Sequence, residues 1–231
     1  MKKALISAAF VLLTCGLIYA AQARNIELVD VPTANTLLKG ELRFDFKFSP
    51  GGGILSRVYV GVFDRLYIGA AFNVNNVIGS GNVDPQIPNF TGKIRITDDE
   101  GAVPAISLGY EGEGYEGEGF TNQNAKGIFL AVTKEINAGI IMQATGAVYT
   151  DNFVKFGNDI GLGAGLAFGI TRELRACLEF DGMPSAARGR LNFGLGYFFD
   201  PIEIDMGFKF GFGAGEPAQA RILKVVYISY F

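Results

Sequence analysis

The sequence predicts an all-β fold: a closed antiparallel up-and-down barrel of about twelve strands that crosses a membrane. Three observations carry this. Segments of alternating apolar and polar residues recur along the chain, separated by turn signals. The composition suits strands, with 32 Gly and 20 Phe among 231 residues and no Trp. Finally, the apolar parity is too bulky to fit inside a barrel of that strand number, so it must face outward.

Taken in order, the chain opens on "MKKALISAAFVLLTCGLIYAAQA". Two lysines, an apolar run and the small-x-small pattern Ala21-Gln22-Ala23 are the layout of a secretory signal peptide, residues 1–23, cleaved after Ala23. Cys15 sits in "LLTC", a poor lipoprotein signal, and its loss would leave Cys177 as the sole thiol, so no intrachain disulfide is expected. Residues 24–37 read as a periplasmic segment, and residues 38–231 as the barrel.

The first strand, "KGELRFDFKF" (residues 39–48), places Leu42, Phe44, Phe46 and Phe48 on one face and Glu41, Arg43, Asp45 and Lys47 on the other. "RVYVGVF", "RLYIGAAFNV", a short "KIRI", "ISLGY", "GIFLAVTK" and "AGIIMQATGAVY" follow. "DIGLGAGLAFGI" sets Ile160, Leu162, Ala164, Leu166, Phe168 and Ile170 against an opposite face of glycines and Ala167. A strand with small residues on one side and greasy ones on the other fits a crowded lumen and a lipid-facing wall. "LRACLEFD", "RLNFGLGYFF", "IEIDMGFKFGFG" and "ARILKVVYISYF" complete the set. Many approach the roughly 9 to 11 residues that a tilted strand needs to span a bilayer.

If both ends of the barrel chain are periplasmic, the connections at 49–53, 75–92, 111–126, 150–157, 182–189 and 214–217 face outside. Those at 64, 97–104, 135–137, 171–173 and 200–201 face inward and are mostly shorter, as such barrels require.

The presumed lumen parity carries Glu41, Arg43, Asp45, Lys47, Arg57, Arg95, Arg175, Glu179, Asp181, Glu203, Asp205 and Lys209, together with Lys39, Arg65, Lys93, Arg190 and Lys224. Mixed signs in a narrow barrel favour a packed salt-bridge network over a binding site, with a small polar pore as the functional alternative. The chain has no His, which removes the commonest general base and metal ligand. A Glu179/Asp181 pair has ordinary i, i+2 strand spacing, so no catalytic, cofactor-binding or metal-binding residues are expected. "EGEGYEGEGF" (residues 111–120) brings four carboxylates, Glu111, Glu113, Glu116 and Glu118, among glycines. It matches no calcium loop and reads as a solvated surface loop. "GSGNVD" (residues 79–84) reads as a turn. The net charge of −3 argues against nucleic acid as a partner.

The final strand, "KVVYISYF", resembles the terminal strand of Gram-negative outer-membrane barrels, which ends in an aromatic residue preceded by apolar residues at alternate positions. Leu223, Val225, Tyr227 and Phe231 fit, while Ser229 departs from the pattern. The resemblance implies an outer-membrane location, outer-membrane lipid as surroundings and the barrel-assembly machinery as a partner. A narrower resemblance lies in "VPTANTLLKGEL", "GGGIL", "DRLYIG", "NVIGSG" and "KIRITDDEGAVPAISLGYEGEG", followed by "KGIFLAVTK". These stretches are similar to the YjbH-type outer-membrane barrels linked to exopolysaccharide production. What that implies is a non-enzymatic barrel, a narrow pore or envelope scaffold, with polysaccharide as a partner. A surface adhesin or receptor working through its loops is the alternative, and a membrane-embedded hydrolase or acyltransferase is disfavoured by the missing histidine.

Overall fold

The computed structural model describes residues 25–117, 120–123, 126–137, 141–150, 160–183, 189–212 and 219–231. The expected signal peptide, with Cys15, lies outside the described residues, as do the connections at 151–159, 184–188 and 213–218.

Among the described residues, twelve strands cross the barrel: β1 (Glu41–Phe48), β2 (Ile54–Phe63), β3 (Leu66–Asn75), β5 (Asn89–Thr97), β6 (Ala105–Glu111), β9 (Gly127–Asn137), β10 (Ile141–Thr150), β11 (Ile160–Gly169), β12 (Leu174–Met183), β13 (Arg190–Phe199), β14 (Ile202–Gly211) and β15 (Ala220–Tyr230). Three short strands decorate them. β4 (Asp84–Pro85) pairs with the end of β3, while β7 (Tyr115–Gly117) and β8 (Phe120–Gln123) form a separate hairpin. Each crossing strand pairs antiparallel with its neighbours in chain order, and β1 pairs with β15, so the sheet closes on itself. Closure leaves no unpaired edge, which is the condition for a sheet to sit in hydrocarbon. At the seam the Phe231 N–H donates to the Gly40 carbonyl at 3.0 Å. Gly40 has φ +78°, and a Cβ there would lie 2.6 Å from the Phe231 carbonyl oxygen, so only glycine fits this approach.

The alternation read from the sequence sets the two faces. Met206, in the middle of β14, is 50% exposed on the outside, whereas Arg43 on β1 is 1% exposed on the inside. Phe46, Ile68, Leu108, Leu130, Leu178, Phe193, Leu223 and Tyr227 continue the exposed apolar exterior around the barrel. A soluble barrel would show the opposite arrangement. The short strand expected at "KIRI" is longer in the structure: β5 begins at Asn89, with Thr91 and Lys93 inward and Phe90 and Ile94 outward. Thr91 and Gly92 blur the alternation, but pairing with β3 and β6 extends the strand through them.

The twelve crossings return β1's start and β15's end to one end of the barrel. The segment before β1 does not hang beyond that end. Residues 24–37 are expected as a periplasmic segment, yet residues 25–34 are buried throughout and occupy the barrel interior. Leu28, Val29 and Val31 share one buried cluster with wall residues such as Leu55, Phe129, Tyr149 and Ile222. Ile26 and Leu37 share a second with Tyr59 and Tyr67.

Candidate functional site

The interior segment is a small hairpin. The Leu28 N–H donates to the Val31 carbonyl at 2.9 Å, the Thr33 N–H donates to the Ile26 carbonyl at 3.1 Å, and Glu27 bridges to Pro32. A hairpin this short cannot hold itself together in water. The wall holds it.

Charged wall residues grip its backbone, among them Lys47, which donates to the Val29 carbonyl at 3.0 Å. Glu179 on β12 accepts from the N–H groups of Val29, Asp30 and Val31, each at 3.0 Å, and from Asn192 at 2.5 Å. Three successive amides converging on one carboxylate satisfy donors that the tight turn would otherwise leave buried and bare. Lys93 on β5 does the converse: its ammonium donates to the carbonyls of Ile26 (2.7 Å), Thr33 (2.8 Å) and Asn35 (3.1 Å). The Ala34 N–H donates to the Thr133 hydroxyl at 2.8 Å.

The side chains are seated as specifically. Val31 lies over Gly163, where a Cβ would come within 2.6 Å of it, and Leu28 lies against Gly165. Val29 lies over Gly194 and Gly207, at 3.0 and 2.9 Å from the Cβ positions. The glycine face of β11, together with the inward glycines of β13 and β14, is therefore the bed of this plug.

Its carboxylates meet cations. Glu27 pairs with Arg57 (2.5 Å), Lys47 (3.1 Å) and Lys224 (3.4 Å). Asp30 pairs with Lys47 (3.3 Å) and Lys209, and accepts from the Tyr115 hydroxyl at 2.8 Å. Burial works against ionisation of both groups. Arg57, Lys47 and Lys224 around Glu27, and Lys209, Lys47 and Lys126 around Asp30, outweigh it and hold both carboxyls well below the usual carboxylate range.

Tyr115 corrects the expectation of a solvated loop at 111–120. It is buried, accepts from Lys209 at 2.8 Å, and has Lys47 and Lys209 over its ring at 5.4 and 5.2 Å. Glu111 accepts from Arg57 at 2.8 Å, and Glu113 accepts from Asn89 at 2.7 Å. The glycines let the loop fold inward, and the plug's Asp30 supplies the partner that draws the ring in. Glu118 lies outside the described residues.

The other charged residues named from parity sit as follows. Glu41 accepts from the Leu38 N–H at 3.0 Å, and Asp45 from Arg57 at 2.9 Å. Arg175 pairs with Glu203 and with Asp205 (2.7 Å), and Asp205 also pairs with Lys224 at 2.9 Å. Asp181 pairs with Lys126 (3.0 Å) and accepts from Tyr149. Arg43 is buried with no hydrogen-bond partner on its guanidinium among the described residues. Arg95 stands apart at the end of β5, paired with Asp98 at 2.9 Å, and Arg65 pairs with Asp98 while 54% exposed. Lys39 is exposed at the rim. Of the proposed assembly residues, Leu223, Tyr227 and Phe231 are exposed on the outer face and Val225 is half-buried.

Oxygens of Asp30, Glu179 and Asp181 lie within 4.8 Å of one another. Lysine ammoniums and backbone amides already fill the coordination space of all three, so neither a metal nor acid–base chemistry at Glu179 and Asp181 follows from the closeness. Among the described residues, one cleft beside the plug is lined by Asn25, Lys47, Arg175, Cys177, Asp205 and Lys224.

Sequence reasoning finds the wall charges but misses the plug residues Glu27, Leu28, Val29, Asp30 and Val31. The signal that could find them is the glycine face of β11, where Gly163 and Gly165 leave the room that Val31 and Leu28 occupy.

No protein-family model matches the chain, and a search of curated proteins returns no significant relative. Solved structures do resemble it. The KdgM porin aligns with a TM-score of 0.54 at 9% identity, over 83% of this chain and 99% of that one. The KdgM porin in complex with disordered oligogalacturonate gives a TM-score of 0.54 at 8% identity over the same shares. The Acinetobacter baumannii outer membrane protein Omp33 gives 0.49 at 9% identity, over 83% and 97%. At such identities the likeness is one of fold, and the YjbH-type resemblance rests on the sequence stretches alone. With its apolar exterior, charged interior and porin-like closed sheet, the chain is a β-barrel of the outer membrane.

Proposed function

We propose that the protein is a non-enzymatic outer-membrane channel held shut by residues 25–37, and that it serves the production or export of an exopolysaccharide. The plug carries this reading. A wall that spends Glu179, Lys93, Lys47, Arg57, Lys209 and Lys224 on a segment lying across its own lumen is organised around occlusion. The polysaccharide belongs to the reading through the YjbH-type stretches. Purified protein in planar bilayers tests it: long closed periods broken by brief openings are expected, with more frequent openings once plug contacts are removed. A permanently silent barrel, even with the plug loosened, would leave only an envelope scaffold.

A second reading, an adhesin or receptor, is favoured by one observation. Val77, Ile78, Val83 and Ile87 in the connection between β3 and β5 are all exposed, Ile87 at 82%, on a loop beyond the crossing strands. Exposed apolar side chains concentrated on one loop suit a contact surface. Loss of cell-surface binding on replacing all four by serine, with conductance unchanged, would favour it.

A further inference from the structure

We propose that the cage of Lys47, Arg57, Lys209 and Lys224 is a carboxylate-binding site of the channel, filled in the closed state by the protein's own Glu27 and Asp30 and open to the carboxylates of an anionic solute when the plug withdraws. The inference rests on the plugged-channel reading and names what that channel recognises.

The wall is built to need an anion here. The four cations stand on β2, β1, β15 and β14, which are consecutive neighbours in the sheet, so they share one arc of the lumen. Lys47 and Lys224 are directly opposite each other across the β1–β15 ladder. Like charges in that position repel, and on an inward face little water is present to screen them. Glu27 sits between the two, at 3.1 and 3.4 Å, and also takes Arg57. Lys47 bridges from there to Asp30, which takes Lys209. Arg43 adds a further buried guanidinium, without a hydrogen-bond partner among the described residues, to the same arc.

On the wall, Asp45 and Glu111 also pair with Arg57 and Asp205 with Lys224, whereas the ion pairs of Lys47 among the described residues are with the plug's Glu27 and Asp30, so the plug's departure leaves the arc short of two carboxylates. A solute carboxylate could then replace them group for group, and the Tyr115 hydroxyl, which donates to Asp30, could donate to it equally. Cations would be repelled by the same arc.

The test uses the full chain carrying Glu27→Gln and Asp30→Asn, refolded in detergent. Heat-modifiable gel mobility is measured with added glucuronate and with a short oligouronate, and single channels are recorded across a KCl gradient. Carboxylates are expected to raise the heat-unfolding midpoint of this variant, and open channels to show a reversal potential of anion-selective sign. Both effects should vanish when Lys47→Gln and Lys224→Gln are added. Rescue by glucuronate and oligouronate at equal carboxylate concentration assigns the site to free carboxylates, and rescue at much lower oligomer concentration assigns it to a polymer. Absence of any carboxylate rescue overturns the site, whether or not the barrel conducts. Rescue in a barrel that never conducts upholds the site and overturns the channel. Should the double variant fail to refold, Glu27→Gln alone, which keeps Asp30 on Lys209, is carried through the same two assays: carboxylate rescue upholds the site, and its absence overturns it.

Discussion

Replacing Glu179 by Ala should unseat the plug while leaving the barrel closed. The carboxylate is the sole described acceptor for the turn amides of Val29 and Asp30, and it also takes that of Val31. Removing it leaves up to three buried N–H groups without partners, each costing about 1 to 3 kcal/mol. Water entering the space vacated by the side chain recovers part of this, so a net loss of about 3 kcal/mol in seating is expected, a factor of roughly 100 in the ratio of seated to withdrawn plug. The barrel ladder keeps its β11–β12 and β12–β13 registers, since the ladder bonds are made by backbone atoms and only the Asn192 side chain loses its bond to the carboxylate. A cysteine at Ala34, which is fully buried, reports the withdrawn state once Cys177 is replaced by Ala. Its maleimide labelling rate should rise about 100-fold in the Glu179→Ala background, if labelling follows the withdrawn population. Heat-modifiable mobility should persist. Unchanged labelling with an intact barrel would show that the amides do not depend on Glu179, and the gripping role assigned to it would be wrong.

Gly207→Val should push Val29 off its bed, because the added Cβ alone would lie 2.9 Å from Val29 Cγ1, and Val29→Ala in the same chain should restore closure in bilayer recordings. Met206→Arg, on the opposite parity of β14 and half exposed outside, should cost about 2 to 4 kcal/mol of folding stability in liposomes, the scale for a cation facing lipid near the midplane. Acid should loosen the plug. The seated-state carboxyls of Glu27 and Asp30 are depressed, so their contribution is complete above the ordinary carboxylate range and falls away as pH drops through the seated values. Labelling at residue 34, expressed relative to a free thiol at the same pH, should rise below about pH 4 as these two carboxylates protonate. Phe231→Ala should slow insertion into the outer membrane, seen as periplasmic accumulation on cell fractionation. The fraction that inserts should keep its heat resistance, since the Phe231 contact with Gly40 is made by backbone atoms.

The amino-acid sequence by itself determined the wall. Alternation is a local property, and a strand's two faces follow from its period of two whatever its neighbours do. Leu42, Phe44 and Phe46 could be set against Arg43, Asp45 and Lys47 without knowing what either face touches. The inversion, apolar side out, followed from size, since that many Phe, Leu and Ile cannot fit a lumen of twelve strands. The tertiary structure alone decided what fills the lumen. Ile26, Leu28, Val29 and Val31 are as apolar as any strand residue, and nothing local distinguishes a free segment from a plug. Their place is set by partners far along the chain: Glu179 lies 150 positions from Val29, and Lys209 lies 179 from Asp30. The same distance hides the role of Tyr115, whose glycine-rich surroundings read as loop until Asp30 stands beneath it. Lys47 and Lys224, which repel as a bare cross-strand pair, are bridged by Glu27, a carboxylate carried by a segment outside the wall, while Asp205 on β14 also pairs with Lys224.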